Sequence, residues 1–392
     1  SVKQLVDEAV TAALADAGVQ PDAVRASFFA NAMQGHLEGQ HAVAGQVALR
    51  SLGLQTWPVV NIENACASGD TALMLADAHI RAGLADVVLV VGVERMTHDK
   101  VGSFAWFDGA WDVTKANETA KNLLALGEAV PTPPDVVEPT GDAKSLFMDV
   151  YGALTKFHMA QYGLTARQLA SVSAKNHAYS VHNKKAQYQR AFTVDEVLGA
   201  PVVSWPITLP MCAPITDGAA AVVLCSDAVL ATMGRDRAVP VAAVELRSGS
   251  DRDPEELDRH LSVGAARAAY ERAGIGPEDI DVAEVHDATS FGEILQSENL
   301  GLVPRGEGGA AAESGVTSMG GRIPVNLSGG LVSKGHPIAA TGLAKTYELV
   351  RQLRGEAGAL QVEGARWAIS QGGGGFHGIE DASTCVTILG GR

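Results

Sequence analysis

Cysteine is scarce in this sequence: Cys66, Cys212, Cys225 and Cys385 are the only four among 392 residues. They are too few and too scattered for a disulfide-stapled fold, and neither a Cys-x-x-Cys nor a zinc-type Cys/His spacing occurs. No metal site is expected, and a reducing cytoplasm is the expected setting. Nor is there any run of about eighteen apolar residues, the length that crosses a bilayer. The N-terminus lacks the basic-then-apolar order of a secretory signal, so a soluble protein is expected. Positive charge is in deficit, with 30 Lys and Arg against 45 Asp and Glu and a formal net charge of -15. Nucleic-acid affinity comes from Lys and Arg clusters that release counterions, which argues against a phosphate-backbone binder. An anionic substrate would have to be met by local basic side chains.

What the chain does have is apolar residues, 46% of the total, and 43 glycines. That is material for two packed domains or one large α/β unit with tight strand-to-helix turns. Apolar spacing predicts a helix over Val2–Ala17, stopped by Gly18 and followed by Pro21. Strands are predicted over 26–32 and 59–62, a helix over 69–82, and a strand covered on both faces over the Val-rich run 87–93. Strand and helix alternate, which predicts a mainly parallel sheet.

Residues 9–24 resemble residues 265–280, with Ala17 and Gly18 falling on Ala273 and Gly274, an offset of 256 positions. Each copy reads as helix, glycine stop, proline turn, then a strand leading to a polar cluster. So long an interval is not a solenoid period and points to two similar α/β halves; the alternative is a chance likeness of two common helix ends. On this reading 1–100 with 201–235 form the first half and 236–392 the second. Residues 101–200 read as an insertion: 127–141 hold four prolines and read as loop, and 144–180 read as helices, one over 166–177. The run 219–224 returns as a buried strand. A strand over 241–244 precedes the second copy, so a matching strand before Ser1 is expected in the native protein.

Cys66 stands in N-I-E-N-A-C-A-S-G-D, between a short strand and the start of a helix. Backbone N–H groups and the helix dipole there favour thiolate, which a nucleophile needs because a free thiol of pKa about 8.5 is mostly protonated at neutral pH. The alternative is a small buried hydrophobe. His336 lies in N-L-S-G-G-L-V-S-K-G-H-P-I-A-A-T-G, where Gly329, Gly330 and Gly335 permit close approach of backbone to a ligand and Pro337 suits a first helical position. It reads as a base or oxyanion donor, or else as a surface-loop histidine. His286 ends an apolar strand in A-E-V-H-D-A-T-S-F-G-E, where ligands gather in parallel sheets; the alternative is a satisfied polar group. Ser370 follows a strand over 367–369, and the glycines 372–375 read as a flexible turn approached closely by another group, or as a tight interdomain turn. The Lys and Ser/Thr of a P-loop are missing.

Together these segments resemble the thiolase superfamily over almost all of the chain, nearer to its sterol-carrier-protein type than to its acetoacetyl type. E-N-A-C-A-S-G with G-V-E-R-M at 92–96 is similar to the nucleophile loop and its following strand. A-K-N-H at 174–177 and N-K-K-A-Q at 183–187 are similar to the loop domain, and C-A-P-I-T-D-G-A-A-A at 212–221 to the segment closing the first half. V-H-D-A at 285–288 with E-N-L-G-L at 298–302 resembles the His-Asp loop, and S-G-G-L-V-S-K-G-H-P at 328–337 is the most specific match. The resemblance implies the thiolase fold: two duplicated βαβαβαββ halves in a five-layered α-β-α-β-α arrangement with an inserted loop domain, as a homodimer or homotetramer. It implies an acyltransferase that cleaves or forms a 3-oxoacyl-CoA, with coenzyme A as substrate and no tightly bound cofactor. Cys66 would take the acyl group, and His336 would activate the thiol and help hold the enolate oxygen. His286 would position a water in that oxyanion hole, while the N–H groups of Cys66 and Gly372 would form a second.

The pattern is broken where thiolases carry a second cysteine that moves the α-proton, because Ser370 and Ala288 stand at its two possible places. His377, five residues after Gly372, is the candidate replacement. An acyl-CoA hydrolase or acyl transfer to a non-thiol acceptor therefore stays open, as does a non-catalytic acyl-CoA-binding subunit of a complex. Some thiolases of the subgroup work beside a small zinc-ribbon and OB-fold accessory subunit, a partner the resemblance extends to this chain. For coenzyme A the candidate contacts are Lys175, Lys184, Lys185 and Arg190 in the insertion, with Ser328 and Gly329. Phe104, Trp106, Phe107 and Trp111 either line a pocket for a bulky acyl group or form loop core.

Overall fold

The repeated sequence is a repeated piece of structure. The helix Val2–Ala17 ends on Gly18 at φ 65°, and the helix Leu261–Ala273 ends on Gly274 at φ 70°. Both stops use the left-handed conformation that glycine adopts without a Cβ penalty. Each is followed by one 3-10 turn opened by proline, Pro21–Ala23 and Pro277–Asp279, and then by a strand. A computed structural model describes residues 1–97, 109–141, 144–234 and 236–391. Within them run β1 (Ala26–Ala30), β2 (Val59–Ile62), β3 (Val87–Glu94), β4 (Val202–Ser204), β5 (Ile207–Thr208), β6 (Gly218–Cys225), β7 (Val241–Ser248), β8 (Val282–Glu284), β9 (Trp367–His377) and β10 (Glu380–Gly390).

Two four-stranded sheets follow, ordered β2-β1-β3-β6 and β7-β10-β9-β8, while β4 and β5 pair separately. The expectation of mainly parallel pairing needs correction. β1 is parallel to β2 and β3, but β6 runs antiparallel to β3, and β10 runs antiparallel to both β7 and β9. Only the short β8–β9 pairing is parallel in the second sheet. For β9 and β10 the cause is local: two residues join them, and a two-residue connection permits only a hairpin.

Side-chain alternation on β3 sets the layers. Val87, Leu89, Val91 and Val93 face the Val2–Ala17 helix and pack on its stripe Val6, Val10 and Leu14. Val88 and Val90 face the other way, onto Ala72 and Ala76 of the helix Ser68–Arg81. That helix lies beside the helix Thr341–Leu353 between the sheets, and Leu343, Val244 and Cys385 complete the same core. Beyond the second sheet, Ala265 and Ala269 of Leu261–Ala273 pack on Ala243, Val386 and Ile388. The order helix, sheet, paired helices, sheet, helix is the five-layered α-β-α-β-α arrangement of the thiolase fold. β6 lies at the edge of its sheet and is half-buried, short of the burial expected for 219–224.

The segment between β3 and β6 contributes the helices Leu146–Tyr162 and Ala166–Ser180, the second capped by Thr165 and Gln168 and three residues longer than its predicted span. A second correction concerns the glycines 372–375, which lie inside β9 and not in a turn. A Cβ on Gly374 would stand 2.5 Å from Asn64 O, and one on Gly373 would stand 2.5 Å from Asp381 Oδ2. These positions lack side chains because neighbouring groups fill that space.

Candidate active site

The chain turns sharply to present Cys66. After β2, Ala65 takes φ 47°, a left-handed conformation that costs a non-glycine residue about 1–2 kcal/mol. Bonds around it hold that conformation: Ser68 Oγ donates to Ala65 O at 2.6 Å, Asn64 N donates to Ser68 Oγ at 2.8 Å, and Ala65 N donates to Glu63 Oε1 at 2.7 Å. Cys66 then sits in a single 3-10 turn at the head of Ser68–Arg81.

The second loop arrives from the other half of the chain. Gly335, at φ 108°, lies so close to Thr216 that a Cβ would be 2.7 Å from its Cγ2. His336 and Pro337 follow, and Ala339 O comes to 2.6 Å and 2.4 Å of where Cβ atoms would be on Gly69 and Gly92. Glycines of the first half thus receive the backbone of the second. The result is His336 Nε2 at 3.2 Å from Cys66 Sγ. His336 Nδ1 lies 2.7 Å from Thr341 Oγ1, whose hydroxyl donates to Pro337 O at 3.3 Å. With that hydroxyl proton committed, Thr341 accepts the Nδ1 proton, and the bare Nε2 faces the sulfur.

His286 completes the group. Its ring meets His336 edge to face, with centroids 4.9 Å apart, and ligand atoms of Cys66, His286 and His336 lie within 4.8 Å of one another. His286 Nδ1 is buried with no hydrogen-bond partner among the described residues. Burial is the main cause of low basicity in both imidazoles, helped by the Lys345 ammonium: His336 is lowered to about 3, and His286 falls well below its ordinary value, with His336 also contributing. Burial, followed by the charges of Asp381 and Glu94, pushes the Cys66 thiol up to about 12. The expected thiolate stabilisation at the helix start is therefore outweighed, and the resting pair is a neutral thiol donating to a neutral imidazole.

Other expected residues fall elsewhere. His377 is at the exposed end of β9, 3.3 Å from Asp251, and does not join the cluster. Lys175 is buried against Glu293 at 3.0 Å and also donates to Val325 O and Asn176 Oδ1, so its ammonium is unavailable to a coenzyme. Ser328 is likewise buried, donating to Glu284 Oε2 at 2.6 Å, and Gly329 packs on Ser180, so neither is open to a ligand. Lys184, Lys185 and Arg190 are exposed; Lys185 lies over Tyr347, and Arg190 lies over Phe192 and 3.6 Å from Glu196. Gly372 lies over Asp70, while Gly374 is the glycine against the Cys66 amide, where a Cβ would be 3.0 Å from its nitrogen.

Several residues near the site escaped the sequence reading. A cavity of about 60 Å³ beside His286 is lined by Tyr151, Leu154, Phe157, Phe291, Phe376 and Asp381, among others. Tyr151, Leu154 and Phe157 repeat at a three-residue interval along one helix, a stripe that would have announced a lining face. Trp111 is buried in the core beside that cavity, with Phe147 and Phe376 at 6.1 and 6.2 Å; Phe104, Trp106 and Phe107 lie outside the described residues. Beneath the site, Asp70 and Lys345 form a fully buried pair at 3.7 Å, and Lys345 also donates to Gln371 O.

A duplicated five-layered fold with a cysteine and a histidine meeting between its halves defines the class of thiolase-like acyltransferases. The thiolase N-terminal domain profile matches residues 1–197, and a thiolase C-terminal domain-like profile matches 251–390. An acetyl-CoA acetyltransferase of Methanothermobacter thermautotrophicus is 38% identical over 96% of this chain and 92% of its own length. Sterol carrier protein 2 of Rattus norvegicus is 36% identical over 93% of this chain, which spans 64% of that protein. Among solved structures, one titled Ltp2-ChsH2(DUF35) aldolase superimposes with a TM-score of 0.72 at 21% identity, covering 100% of this chain and 93% of its own, a likeness of fold. The chain belongs to the thiolase family and is an acyltransferase. Among the described residues, no helix is long and apolar enough to cross a membrane.

Proposed function

We propose that this acyltransferase cleaves or forms a 3-oxoacyl-CoA through an acyl thioester on Cys66, with coenzyme A as the second substrate. The observation that carries the reading is the 3.2 Å approach of His336 Nε2 to Cys66 Sγ. In the cleavage direction, the 3-keto carbon meets Sγ as the thiol proton passes to Nε2. The bond between C2 and C3 then breaks, and its electron pair leaves on the departing acyl-CoA as an enolate that must take up a proton. Coenzyme A thiol next attacks the acyl-Cys66 thioester and returns the sulfur to its resting state.

His336 Nε2 is placed to take the thiol proton as the sulfur attacks, and His286, unpartnered at Nδ1 among the described residues, is free to hold a water or the enolate oxygen. The Cys66 N–H is the proposed donor to the tetrahedral oxyanion; Gly372, expected as the second donor, lies over Asp70, and Gly374 is the glycine beside the Cys66 amide. The exposed Lys184, Lys185 and Arg190 are the remaining candidates for the coenzyme phosphates. A homo-oligomer, joined by a small zinc-ribbon and OB-fold subunit, is part of the same proposal; native mass spectrometry of the complex isolated from its host returning this chain alone counts against the partner.

Intact mass spectrometry after incubation with a series of acyl-CoA compounds tests the core claim. Each accepted acyl group adds its mass to Cys66, the adduct is absent in Cys66→Ala, and His336→Asn slows its appearance by about 10²–10⁴-fold. No adduct across the series would leave a binding subunit as the better description.

A further inference from the structure

With Ser370 and Ala288 in place of a second cysteine, the enolate needs another proton source. Ser370 Oγ is a buried hydroxyl without a partner among the described residues, and Ala288 has no acidic group. His377 is paired with Asp251 outside the cluster. Tyr151 reaches the cavity, but burial holds its hydroxyl well above the ordinary range. Asp70 is fully buried against Lys345. Two carboxyls line the cavity beside His286: Glu380 is held by Arg252 at 2.6 Å, whereas no hydrogen bond or ion pair holds the Asp381 side chain among the described residues.

Asp381 reaches the site through the cavity it shares with His286, a ring nitrogen of which lies within 4.8 Å of Cys66 Sγ. Its Oδ2 lies 2.5 Å from where a Cβ would be on Gly373. Its charge raises both the Cys66 thiol and the Tyr151 hydroxyl. On β10 it sits opposite Phe376, whose ring lines the cavity.

Building on the acyl-Cys66 reading, we propose that Asp381 is the catalytic acid and base at the substrate α-carbon, filling the role left open by the absent cysteine. In cleavage, protonated Asp381 gives its proton to C2 of the enolate as the C–H bond forms, which releases the neutral acyl-CoA. The resulting carboxylate takes the proton of the incoming coenzyme A thiol as its sulfur bonds to the acyl carbon, and the Cys66 sulfur leaves with the electron pair of the old thioester, recovering its proton from His336. Asp381 ends protonated as it began. Burial and the charge of Glu380, partly offset by Arg252, raise its pKa to about 7, so both forms are populated near neutrality.

The two halves of the reaction can be read separately. Native protein, Asp381→Asn and Asp381→Glu are each incubated with acetyl-, propionyl- and phenylacetyl-CoA in D2O. Mass spectrometry follows acylation of Cys66, and proton NMR follows deuterium entering the α-carbon. The expected result is that Asp381→Asn still acylates Cys66, which also reports an intact fold, while α-exchange falls at least 100-fold and Asp381→Glu recovers part of it. Exchange at the native rate in Asp381→Asn overturns the assignment, as does a native protein that acylates without exchanging. If native Cys66 is acylated by none of the three, the acyl-thioester reading fails first and this one with it.

Discussion

At the scale of single residues, Thr341 decides which nitrogen of His336 carries the proton. Its hydroxyl proton goes to Pro337 O, so its oxygen accepts from Nδ1 and leaves Nε2 bare toward Cys66. Thr341→Val removes that acceptor with little change in volume. Acylation of Cys66 in the mass-spectrometric assay is expected to slow about 10–100-fold, with Thr341→Ser close to native. An unchanged rate in Thr341→Val would show that the ring holds its tautomer by other means. The sequence pointed to His336 through its glycine-rich loop, but a threonine five residues on, in a helical turn, carries no mark of its own. Asp381 was hidden for a similar reason: it belongs to a hairpin whose strand character was masked by four glycines.

At the scale of elements, the glycine-rich part of β9 is a strand whose missing side chains admit Asp70, Asp381 and the nucleophile loop. Gly374→Ala places a methyl 2.5 Å from Asn64 O, 2.8 Å from Ala67 N and 3.0 Å from Cys66 N, all of them backbone atoms that cannot swing away. The variant is expected to lose about 1–3 kcal/mol in denaturant unfolding and most of its acylation rate together, because relief requires moving Cys66. Full activity in Gly374→Ala would mean that the loop has more room than its contacts indicate. Helices and the Val-rich strand were legible because their periodicity is carried by side chains, as in Val6, Val10 and Leu14. The course of β9 was not legible, since glycines show no alternation and their usual place is a turn. The antiparallel pairing of β9 with β10 depends on a connection of only two residues, which the turn reading of 372–375 concealed.

At the scale of the whole molecule, the protein carries ionisable groups in places that oppose folding. Asp381 and Glu94 are each raised to about 7, Asp381 by burial and the Glu380 charge, Glu94 by burial. A carboxyl whose folded pKa lies above its unfolded value binds a proton more readily in the folded state. Stability is therefore lost as pH rises from about 4 through about 7. Comparing Asp381→Asn with native protein isolates one such group, because Glu94 and the lowered histidines are common to both. The variant's stability relative to native should rise between pH 4 and pH 8, by roughly 2–4 kcal/mol as an upper range. A difference in denaturant midpoints that does not change over that interval would contradict this.

The duplication was readable from one repeated helix stop, but the two central helices that meet between the sheets are not alike in charge. Asp70 stands on the central helix of the first half and Lys345 on that of the second, each buried and each answering the other's charge. A first half clasping the first half of a neighbouring chain would leave Asp70 in a dry interior without its ammonium partner, and two second halves would leave Lys345 without its carboxylate. Either mispairing incurs desolvation without compensation. A molecule assembled from two copies of one ancestral shape thus carries a lock that admits only its complementary half.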